Sequence, residues 1–272
     1  MAIQALNSAA TGLRALSTKI DIVANNLANA ETTAFKRSRV NFEDLMYLSI
    51  KQPGAQNAAG EIAPAGTFVG LGVRISNTQL DTEPGSLEST GRVLDVAISG
   101  GGFFKVKLPA SVSDGEGFTR NGNFFVNRDG DLIVGMGDGY RLEPPINIPA
   151  GVANDQINIS EDGTVSYLPP GGATTPTVAG QIKLHNFINP QGLNLLGGSI
   201  YGRTEGSGDP IESTPGEDGA GKTLSTFLEG SNVDPVKELV SLIKTQRSFE
   251  LNSQSIESAD KALQTIGNLR RF

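Results

Sequence analysis

One segment of the chain, residues 216–223, satisfies a nucleotide-binding pattern in full. The pattern is G-x-x-x-x-G-K-T, in which backbone N–H groups and the lysine hold the phosphates. A loop of this kind follows a buried strand and opens a helix, but residues 208–215 are not strand-like and residues 224–228 are too few for a helix. Glu217 and Asp218 would also place negative charge beside the phosphates. The sequence therefore favours a glycine-rich turn in a connector over a nucleotide site.

Other residue types that carry chemistry are sparse or badly spaced. The chain has no cysteine and one histidine, His185, which excludes a thiol nucleophile, a cysteine-ligated metal and any mechanism with two histidines. His185 lies in an alternating pattern and is interpreted as a surface or satisfied strand residue. The glycines of 99–104 predict a bulge or a tight turn that leads into a strand. Asn127, Asp129 and Asp131 lack the full spacing of a calcium loop and predict a hairpin turn. We expect no cofactor, no metal and no catalytic residue, and hence not an enzyme.

Length and charge narrow the class of protein further. The chain has 272 residues, with 22 Lys and Arg against 29 Asp and Glu, which gives a formal charge of −7. Phosphate binding needs clustered positive charge, so the acidic balance argues against nucleic acid as a partner. The N-terminal residues lack the basic start and apolar core of a secretory signal peptide, and no apolar run approaches the roughly 18–20 residues of a membrane span. We expect a chain that does not span a membrane and that is either cytoplasmic or leaves the cell by a route that reads another signal.

The N-terminal residues carry a heptad pattern. Two rows of apolar residues repeat every seven positions, three residues apart, and together form a stripe typical of a coiled coil. The rows are Leu6, Leu13, Ile20 and Leu27, and Ala9, Leu16, Val23 and Ala30. The pattern predicts one long helix.

The C-terminal residues carry a similar pattern. Asp234 and Pro235 suit the cap and first position of a helix. The main row is Leu242, Phe249, Ile256 and Leu263, flanked by Leu239, Ala259 and Ile266, with the polar residues Gln246 and Ser253 in the second row. Because each helix has a stripe that needs a partner, the simplest expectation is that the two pair with each other.

Between the helices, the sequence predicts short antiparallel strands. Runs such as 94–98, 103–106 and 181–184 carry strand-forming residues. Asn-Gly and Asp-Gly dipeptides, which favour hairpin turns, occur at 121–122, 129–130 and 162–163. Pro-, Gly- and Ser-rich loops or extended connectors are expected at 51–66, 169–180 and 203–222. The fold class expected is α+β, with long paired, coiled-coil-like terminal helices and an inserted all-β domain.

Two segments near the ends of the chain carry a resemblance to a known family. Residues 24–29 read A-N-N-L-A-N and are followed by T-T-A-F-K-R at 32–37. Residues 231–234, 238–240 and 246–253 read S-N-V-D, E-L-V and Q-R-S-F-E-L-N-S. Both patterns resemble the terminal signatures of the bacterial flagellar rod, hook and hook-associated axial proteins. Ala34 stands where that family usually has glycine.

The resemblance extends over essentially the whole chain and is strongest to the distal-rod branch. The stretch F-E-D-L-M-Y at 42–47, followed by Q-P-G-A-Q at 52–56, is similar to the region that distinguishes distal-rod members. The remaining matches, in the same order, lie at 70–74, 95–98, 101–104, 119–122, 213–216 and 219–221. The alternatives are a proximal rod or hook subunit of the same family and, less favoured, a nucleotide-binding protein that uses 216–223.

The resemblance implies a structural subunit that polymerises into a tubular drive shaft, transmits torque and encloses an export channel. It implies an inner helical polymerisation domain (1–34 with 231–272), a connector (35–84 with 203–230) and an outer β-rich domain (85–202). It implies as partners further copies of the chain, proximal rod and hook proteins, periplasmic and outer-membrane ring proteins that act as a bushing, and the flagellar type III export apparatus. The localisation implied is the basal-body rod, in the periplasm and across the cell wall, reached by export without a cleaved signal peptide.

The subunit-interaction residues expected from the stripes and signatures lie at both ends of the chain. They are Leu6, Leu13, Leu16, Ile20, Val23, Asn25, Asn26, Leu27, Asn29, Phe35, Leu239, Leu242, Gln246, Phe249, Asn252, Ile256 and Leu263. The three asparagines are expected to bond between helices or to backbone groups.

Overall fold

Residues 2–54, 64–135, 139–169, 175–217 and 219–269 are described by a computed structural model. The fold is α+β, as the sequence predicts, with an N-terminal helix, a C-terminal helix and central antiparallel strands. The chain divides into two units. Unit 1 comprises Met1–Ala28, Ser38–Leu80 and Asp234–Phe272, and unit 2 comprises Asn29–Arg37 and Asp81–Val233. The three-domain division expected from the sequence stays a prediction.

Unit 1 combines the two terminal helices with two strand pairs. Its elements are α1 (Ala2–Ala28), β1 (Ser38–Asp44), β2 (Tyr47–Lys51), β3 (Thr67–Gly70), β4 (Val73–Leu80) and α2 (Pro235–Leu269). β1 pairs with β4 and β2 pairs with β3, both antiparallel. α1 packs against α2, β1 and β4. The two helices thus contact each other, whereas coiled-coil packing between them stays a prediction.

A buried asparagine joins the end of α1 to the first strand. Asn26 Nδ2 donates to the carbonyl oxygen of Ser38 at 2.8 Å, and Asn26 Oδ1 accepts from the Ser38 N–H at 3.1 Å. Both groups of the amide are therefore satisfied by one peptide unit, as a buried polar side chain requires. The expectation that this asparagine bonds to backbone groups is confirmed.

The start of α2 has the predicted cap. Asp234 Oδ1 accepts from the N–H groups of Val236 and Lys237, at 3.0 and 3.2 Å, and Pro235 is the first helical residue. The bond from the Lys237 N–H is the main reason that the pKa of Asp234 lies below its ordinary value. A carboxylate at this position also offsets the positive end of the helix dipole.

The less exposed side chains of α2 repeat with alternating steps of four and three residues. Glu238 and Thr245 are buried, and the other members of this face are half-buried: Leu242, Phe249, Asn252, Ile256, Ala259 and Leu263. The main apolar row is therefore as predicted, but its second row is Glu238, Thr245, Asn252 and Ala259. Leu239 and Gln246, placed beside the main row by the sequence, are exposed. Polar residues on the packed face conceal this row from a hydrophobic pattern.

Unit 2 is built from short antiparallel strands. They are β5 (Leu87–Ser89), β6 (Val96–Ser99), β7 (Phe103–Lys107), β8 (Glu116–Thr119), β9 (Phe124–Val126), β10 (Leu132–Val134), β11 (Arg141–Glu143), β12 (Ile157–Ile159), β13 (Thr164–Tyr167), β14 (Thr177–Gln181), β15 (Leu184–Asn186), β16 (Asn194–Gly197), β17 (Ile200–Gly202), β18 (Ile211–Ser213), β19 (Lys222–Ser225) and β20 (Phe227–Glu229). Short 3₁₀ turns lie at Ser113–Gly115, Asn154–Gln156 and Pro190–Gly192.

Among its described residues, the largest sheet of unit 2 has nine strands. Seven follow the order β16-β17-β8-β7-β11-β10-β9, and β15 pairs with β7 and β18. β12, β13 and β14 form a three-stranded sheet, and β6–β19 and β5–β20 form pairs. Alternate residues of the strands, such as Phe104 and Val106 of β7 and Leu132 and Val134 of β10, lie in one apolar core. Unit 2 therefore buries a core of its own.

Two of the three predicted hairpin turns are confirmed. The dipeptide at 129–130 joins β9 to β10 and that at 162–163 joins β12 to β13, with Gly130 and Gly163 at φ of +86° and +80°. The left-handed backbone explains glycine at these positions. In the first of these turns, Asn127 Oδ1 accepts from the N–H groups of Asp129 and Asp131 at 2.9 and 2.8 Å. This confirms a turn where a calcium loop was the other interpretation.

The hairpin predicted at Asn121-Gly122 is wrong. β8, which precedes this dipeptide, pairs with β7 and β17, while β9, which follows it, pairs with β10. Gly122 is needed instead for close approach, since a Cβ atom there would lie 1.7 Å from the carbonyl oxygen of Val96. The Gly122 carbonyl accepts from the Val96 N–H at 2.9 Å.

His185 is a strand residue as predicted, but it is neither at the surface nor satisfied. It lies in β15 and is only 5% exposed. Within the described structure its Nδ1 has no hydrogen-bond partner, and its Nε2 lies 3.9 Å from a Glu212 carboxylate oxygen. Burial lowers the pKa of His185, against the attraction of Glu212. The other charged groups that act on it are Lys105 from β7, Glu116 from β8 and Glu143 from β11.

Ala34 has a backbone conformation that is unfavourable for alanine. Its φ is +56°, its side chain is fully buried, and its N–H donates to the carbonyl oxygen of Glu229 at 2.8 Å. A non-glycine residue in the left-handed region costs roughly 1–2 kcal/mol. The structure thus explains why the resembled family usually has glycine here.

We predict that Ala34→Gly leaves the stability of unit 2 nearly unchanged, although a buried methyl group is lost. Ala97, which is also fully buried but has no positive φ, is the matched control. Ala97→Gly should cost about 1–2 kcal/mol through lost burial and added chain entropy. In Ala34→Gly the relief of strain should offset those terms to within about 0.5 kcal/mol. Urea unfolding measures both, and equal costs for the two variants would contradict the left-handed Ala34.

We also predict an acid-dependent loss of stability that depends on His185. Because the folded-state pKa is lowered, the unfolded chain binds the proton first as pH falls through about 6.5. The contribution of the neutral histidine is therefore complete above that pH and decreases below it. Unfolding midpoints at pH 7.5, 6.5 and 5.5 should decrease less in His185→Gln than in the wild type. The histidine is the only one in the sequence, so equal decreases in both proteins would refute the assignment.

Candidate subunit-interaction surfaces

The nucleotide-like segment 216–223 is a turn that leads into a strand. The N–H of Gly216 donates to the carbonyl oxygen of Gly221 at 3.0 Å, and the N–H of Gly221 donates to that of Gly101 at 2.7 Å. Residues 222–225 continue as β19, which pairs with β6. The segment therefore opens a strand rather than a helix, and these two glycine N–H groups already have acceptors. Asp218 lies outside the described residues.

The lysine and threonine of this segment also have other partners. Lys222 Nζ lies 2.8 Å from Glu161 Oε2, and both side chains are exposed. Thr223 is buried, and its Oγ1 donates to the carbonyl oxygen of Ser160 at 2.8 Å. The geometry supports the glycine-rich connector. Within the described parts of the chain, no group of His, Asp or Glu residues has a metal-binding arrangement.

The expected interaction residues of α1 are mostly half-buried within unit 1. Val23 is buried, and the others in the two rows are partly covered: Leu6, Leu13, Leu16, Ile20 and Leu27. Gly12 lies opposite Asn252 of α2, since a Cβ atom on Gly12 would lie 3.2 Å from Asn252 Nδ2. On α2, Leu242, Phe249, Asn252, Ile256 and Leu263 are half-buried. These rows therefore lie largely on packed faces of the single chain.

An apolar face of α2 is left exposed, and the sequence stripe did not identify it as a face. Its residues are Val236, Leu239, Val240, Ile243 and Leu251, which we call the α2 apolar face. Val236 is 70% exposed and Ile243 is 50% exposed. The spacing 236, 240, 243 follows a helical period and could have identified this face from the sequence. The prediction instead followed the longer apolar row through Leu242.

The hairpin formed by β2 and β3 exposes apolar side chains as well. Met46 is 80% exposed, and the other members of this exposed hairpin patch are Tyr47, Leu48, Ile50 and Phe68. Strands usually bury at least one face, but every residue of β2 is exposed. The hairpin begins in the stretch 42–56 that resembles the distal-rod branch. Ala55 and Gln56 of that stretch lie outside the described residues.

The remaining expected residues lie near the end of α1 and in the segment that follows it. Asn25 is exposed. In unit 2, Asn29 Oδ1 accepts from Thr32 Oγ1 at 3.0 Å, a side-chain contact that the sequence did not predict. A bond of Asn29 between helices or to backbone groups stays a prediction. Phe35 is half-buried, and its carbonyl oxygen accepts from the Asn232 N–H at 3.2 Å.

Unit 2 contains a buried ion cluster, formed by Lys36, Arg120 and Glu229. Lys36 Nζ lies 2.6 Å from Glu229 Oε1, and Arg120 Nε lies 2.7 Å from Glu229 Oε2. The three side chains are between 0% and 4% exposed. Burial lowers the pKa of Lys36 although Glu229 opposes the shift. Burial alone would raise the pKa of Glu229, but the two cations hold it below its ordinary value.

Backbone groups satisfy the rest of the buried ion cluster. Lys36 Nζ donates to the carbonyl oxygen of Glu83 at 2.6 Å, and the Gly85 N–H donates to Glu229 Oε1 at 3.0 Å. Arg120 donates to three carbonyl oxygens at 2.8–3.3 Å, those of Ile98, Gly100 and Gly102. The glycine-rich segment 99–104 thus forms the predicted turn before β7 and binds a guanidinium group through its carbonyls. Lys36 and Glu229 are 193 residues apart, and no local pattern could have paired them.

Three segments of the chain, one near each end and one in the middle, match known protein families. Residues 6–36 match the flagella basal body rod protein family, residues 97–167 match the flagellar hook protein FlgE/F/G D1 domain, and residues 224–269 match the flagellar basal body rod FlgEFG protein C-terminal family. The chain is 43% identical to the flagellar basal-body rod protein FlgG of Buchnera aphidicola subsp. Acyrthosiphon pisum, over 95% of this chain and 96% of the relative. The chain belongs to the flagellar basal-body rod protein family.

Other relatives agree over nearly their full length. The FlgG proteins of Caulobacter vibrioides and Borreliella burgdorferi are 39% and 38% identical, with 98% and 99% of this chain covered and 100% and 99% of the relatives. The resemblance drawn from the two terminal signatures is therefore confirmed. Its interaction residues stay predictions, since the comparisons name no contacts. None of the described helices is both long and apolar enough to cross a bilayer.

Proposed function

We propose that this chain is a structural subunit of the flagellar distal rod that polymerises into a tube around an export channel and transmits torque. The observation that supports this most directly is the uneven burial of apolar residues. Unit 2 has a closed core, whereas unit 1 exposes the α2 apolar face and the exposed hairpin patch. Clustered exposed apolar side chains mark surfaces that bind other proteins.

Further copies of the chain are the proposed main partners of these surfaces. A head-to-tail contact between two different surfaces of one chain produces a helical filament when its rotation does not close into a ring. The α2 apolar face and the exposed hairpin patch are two such different surfaces within one unit. We propose that both become buried on assembly, together with the residues of the two helical stripes that remain partly exposed.

The finer assignments follow from the family resemblance. We propose an inner polymerisation domain at 1–34 with 231–272, a connector at 35–84 with 203–230, and an outer domain at 85–202. Proximal rod and hook proteins, the periplasmic and outer-membrane rings and the type III export apparatus are proposed as further partners. The proposed location is the rod, in the periplasm and across the cell wall, reached without a cleaved signal peptide. We propose no catalytic activity.

The α2 apolar face gives the first test. We predict that Ile243→Asp raises the concentration needed for tube formation at least tenfold, because an unpaired carboxylate would be buried between subunits. Electron microscopy and pelleting of the purified chain over a concentration series measure this. Ile243 is exposed in the single chain. The substitution should therefore change the free energy of unfolding of the chain by less than about 0.5 kcal/mol.

Gln254→Asp is the matched control, because it adds a negative charge at an exposed polar position of the same helix. It should assemble as the wild type does. Tubes from Ile243→Asp at the wild-type concentration would exclude this face as a subunit contact, and a wild-type chain that never forms tubes would contradict the proposed function.

The exposed hairpin patch gives the second test. We predict that the double variant Leu48→Ser and Ile50→Ser forms tubes that are several-fold more flexible, measured as persistence length in micrographs. Both side chains are apolar and exposed, and they would lose apolar contact with the neighbouring subunit. Ser49→Ala, at the exposed polar residue between them, is the control and should leave stiffness unchanged. Equal persistence lengths for the double variant and the wild type would show that the exposed hairpin patch does not contribute to the stiffness of the tubes.

A further inference from the structure

The buried ion cluster joins parts of the chain that lie far apart in sequence. Lys36 belongs to segment 29–37, which follows α1, and Glu229 ends β20, the last strand before α2. The segments around them are also bonded through their backbones. The Ala34 N–H donates to the carbonyl oxygen of Glu229 at 2.8 Å, and the Asn232 N–H donates to that of Phe35 at 3.2 Å. Segment 29–37 is therefore held in unit 2 by residues that come almost two hundred positions later.

Segment 29–37 has little local reason to occupy its place without those residues. Ala34 must adopt a left-handed backbone, which is unfavourable for alanine. The Lys36 side chain must leave water, and it is 1% exposed. An ammonium group in such a place needs a carboxylate beside it. Among the described residues, Lys36 Nζ donates to the Glu229 carboxylate and to one carbonyl oxygen, that of Glu83.

The charge balance of the cluster makes Glu229 decisive. Two buried cations share this one carboxylate, so its removal would leave Lys36 beside Arg120 with no buried counter-charge between them. Asp81 also attracts Lys36, but its carboxylate pairs with Arg37 at 2.8 Å. Arg120 would retain its three carbonyl acceptors. Lys36 is thus the member of the cluster that loses most when Glu229 is absent.

We propose that the buried ion cluster is a conformational switch, in which segment 29–37 docks onto unit 2 only after β20 and Glu229 have docked. A chain is synthesised from its N terminus, so Lys36 exists long before its partner. Until Glu229 arrives, α1 is attached through an undocked segment. The consequence for assembly rests on the proposed function: a subunit that lacks β20 would enter assembly with segment 29–37 undocked.

Amide hydrogen exchange of the full-length chain tests the switch. We expect Glu229→Gln to accelerate exchange at the Ala34 and Asn232 amides at least 100-fold more than at Leu132, whose N–H donates to Ile146 within the core. In Lys36→Met combined with Glu229→Gln, exchange at Ala34 should return to within tenfold of the wild type, because docking then buries no ammonium group. Glu161→Gln, which breaks the exposed pair with Lys222, is the matched control and should change neither amide.

Three results would overturn the switch: unchanged exchange at Ala34 in Glu229→Gln, equal acceleration at Ala34 and Leu132, or no recovery in the double variant. If Glu229→Gln alone does not fold, Lys36→Met replaces the wild type as reference. Exchange at Ala34 in that variant should then be insensitive to Glu229→Gln within tenfold, and a larger change contradicts the switch. The measurement uses the unassembled chain, so failure to form tubes would contradict the proposed function without affecting this result.

Discussion

One constraint, the burial of the Lys36 ammonium group, joins the start of unit 2 to its end. A lysine shielded from water requires a carboxylate, and the one it contacts belongs to the last strand before the C-terminal helix. Asn232 strengthens the same junction, since its Oδ1 accepts from the Arg37 N–H at 2.7 Å and its Nδ2 donates to the carbonyl oxygen of Asp81 at 2.9 Å. The segments after α1 and before α2 are therefore bonded to each other. The strands between them form an insertion with joined ends, which is what a chain needs if its first and last helices are to pack together.

Apolar burial is divided unequally between the two units, and that division connects the fold with assembly. Unit 2 places phenylalanine, leucine, isoleucine and valine side chains in one core, including the edge-to-face pair Phe104 and Phe124 with ring centroids 5.2 Å apart. In unit 1 the packed face of α2 includes Glu238, Thr245 and Asn252, while Val236, Val240 and Ile243 face outward. Polar residues on a packed helical face reduce stability but define register. A helix with its polar row inside and apolar residues outside buries more apolar area when further subunits are added.

The sequence predicted those parts of the fold that depend on local geometry. Both terminal helices, the cap at Asp234 and the turns at Gly130 and Gly163 follow from residue type and spacing alone. The hairpin turn predicted at Gly122 was wrong, because glycine in an Asn-Gly dipeptide is also required where two backbone segments approach closely. The prediction of the second row of α2 was wrong, because a hydrophobic pattern does not identify a threonine or glutamate that packs against another element. The buried ion cluster could not be predicted at all, since lysine and glutamate are ordinary surface residues and only the tertiary fold joins them.

The glycine-rich segments show why a motif alone does not establish a site. In a nucleotide site, glycines let backbone N–H groups converge on phosphate. Here the N–H of Gly221 donates to the carbonyl oxygen of Gly101, and the carbonyls of Gly100 and Gly102 converge on the Arg120 guanidinium. The same freedom of the backbone thus supplies acceptors for a buried cation instead of donors for an anion. Arg120 and Lys36 both pair with the Glu229 carboxylate. Because the glycine carbonyls hold Arg120 in place, they contribute to the junction between the two ends of unit 2. Their value in this chain is structural, and it depends on the charged side chain that they surround.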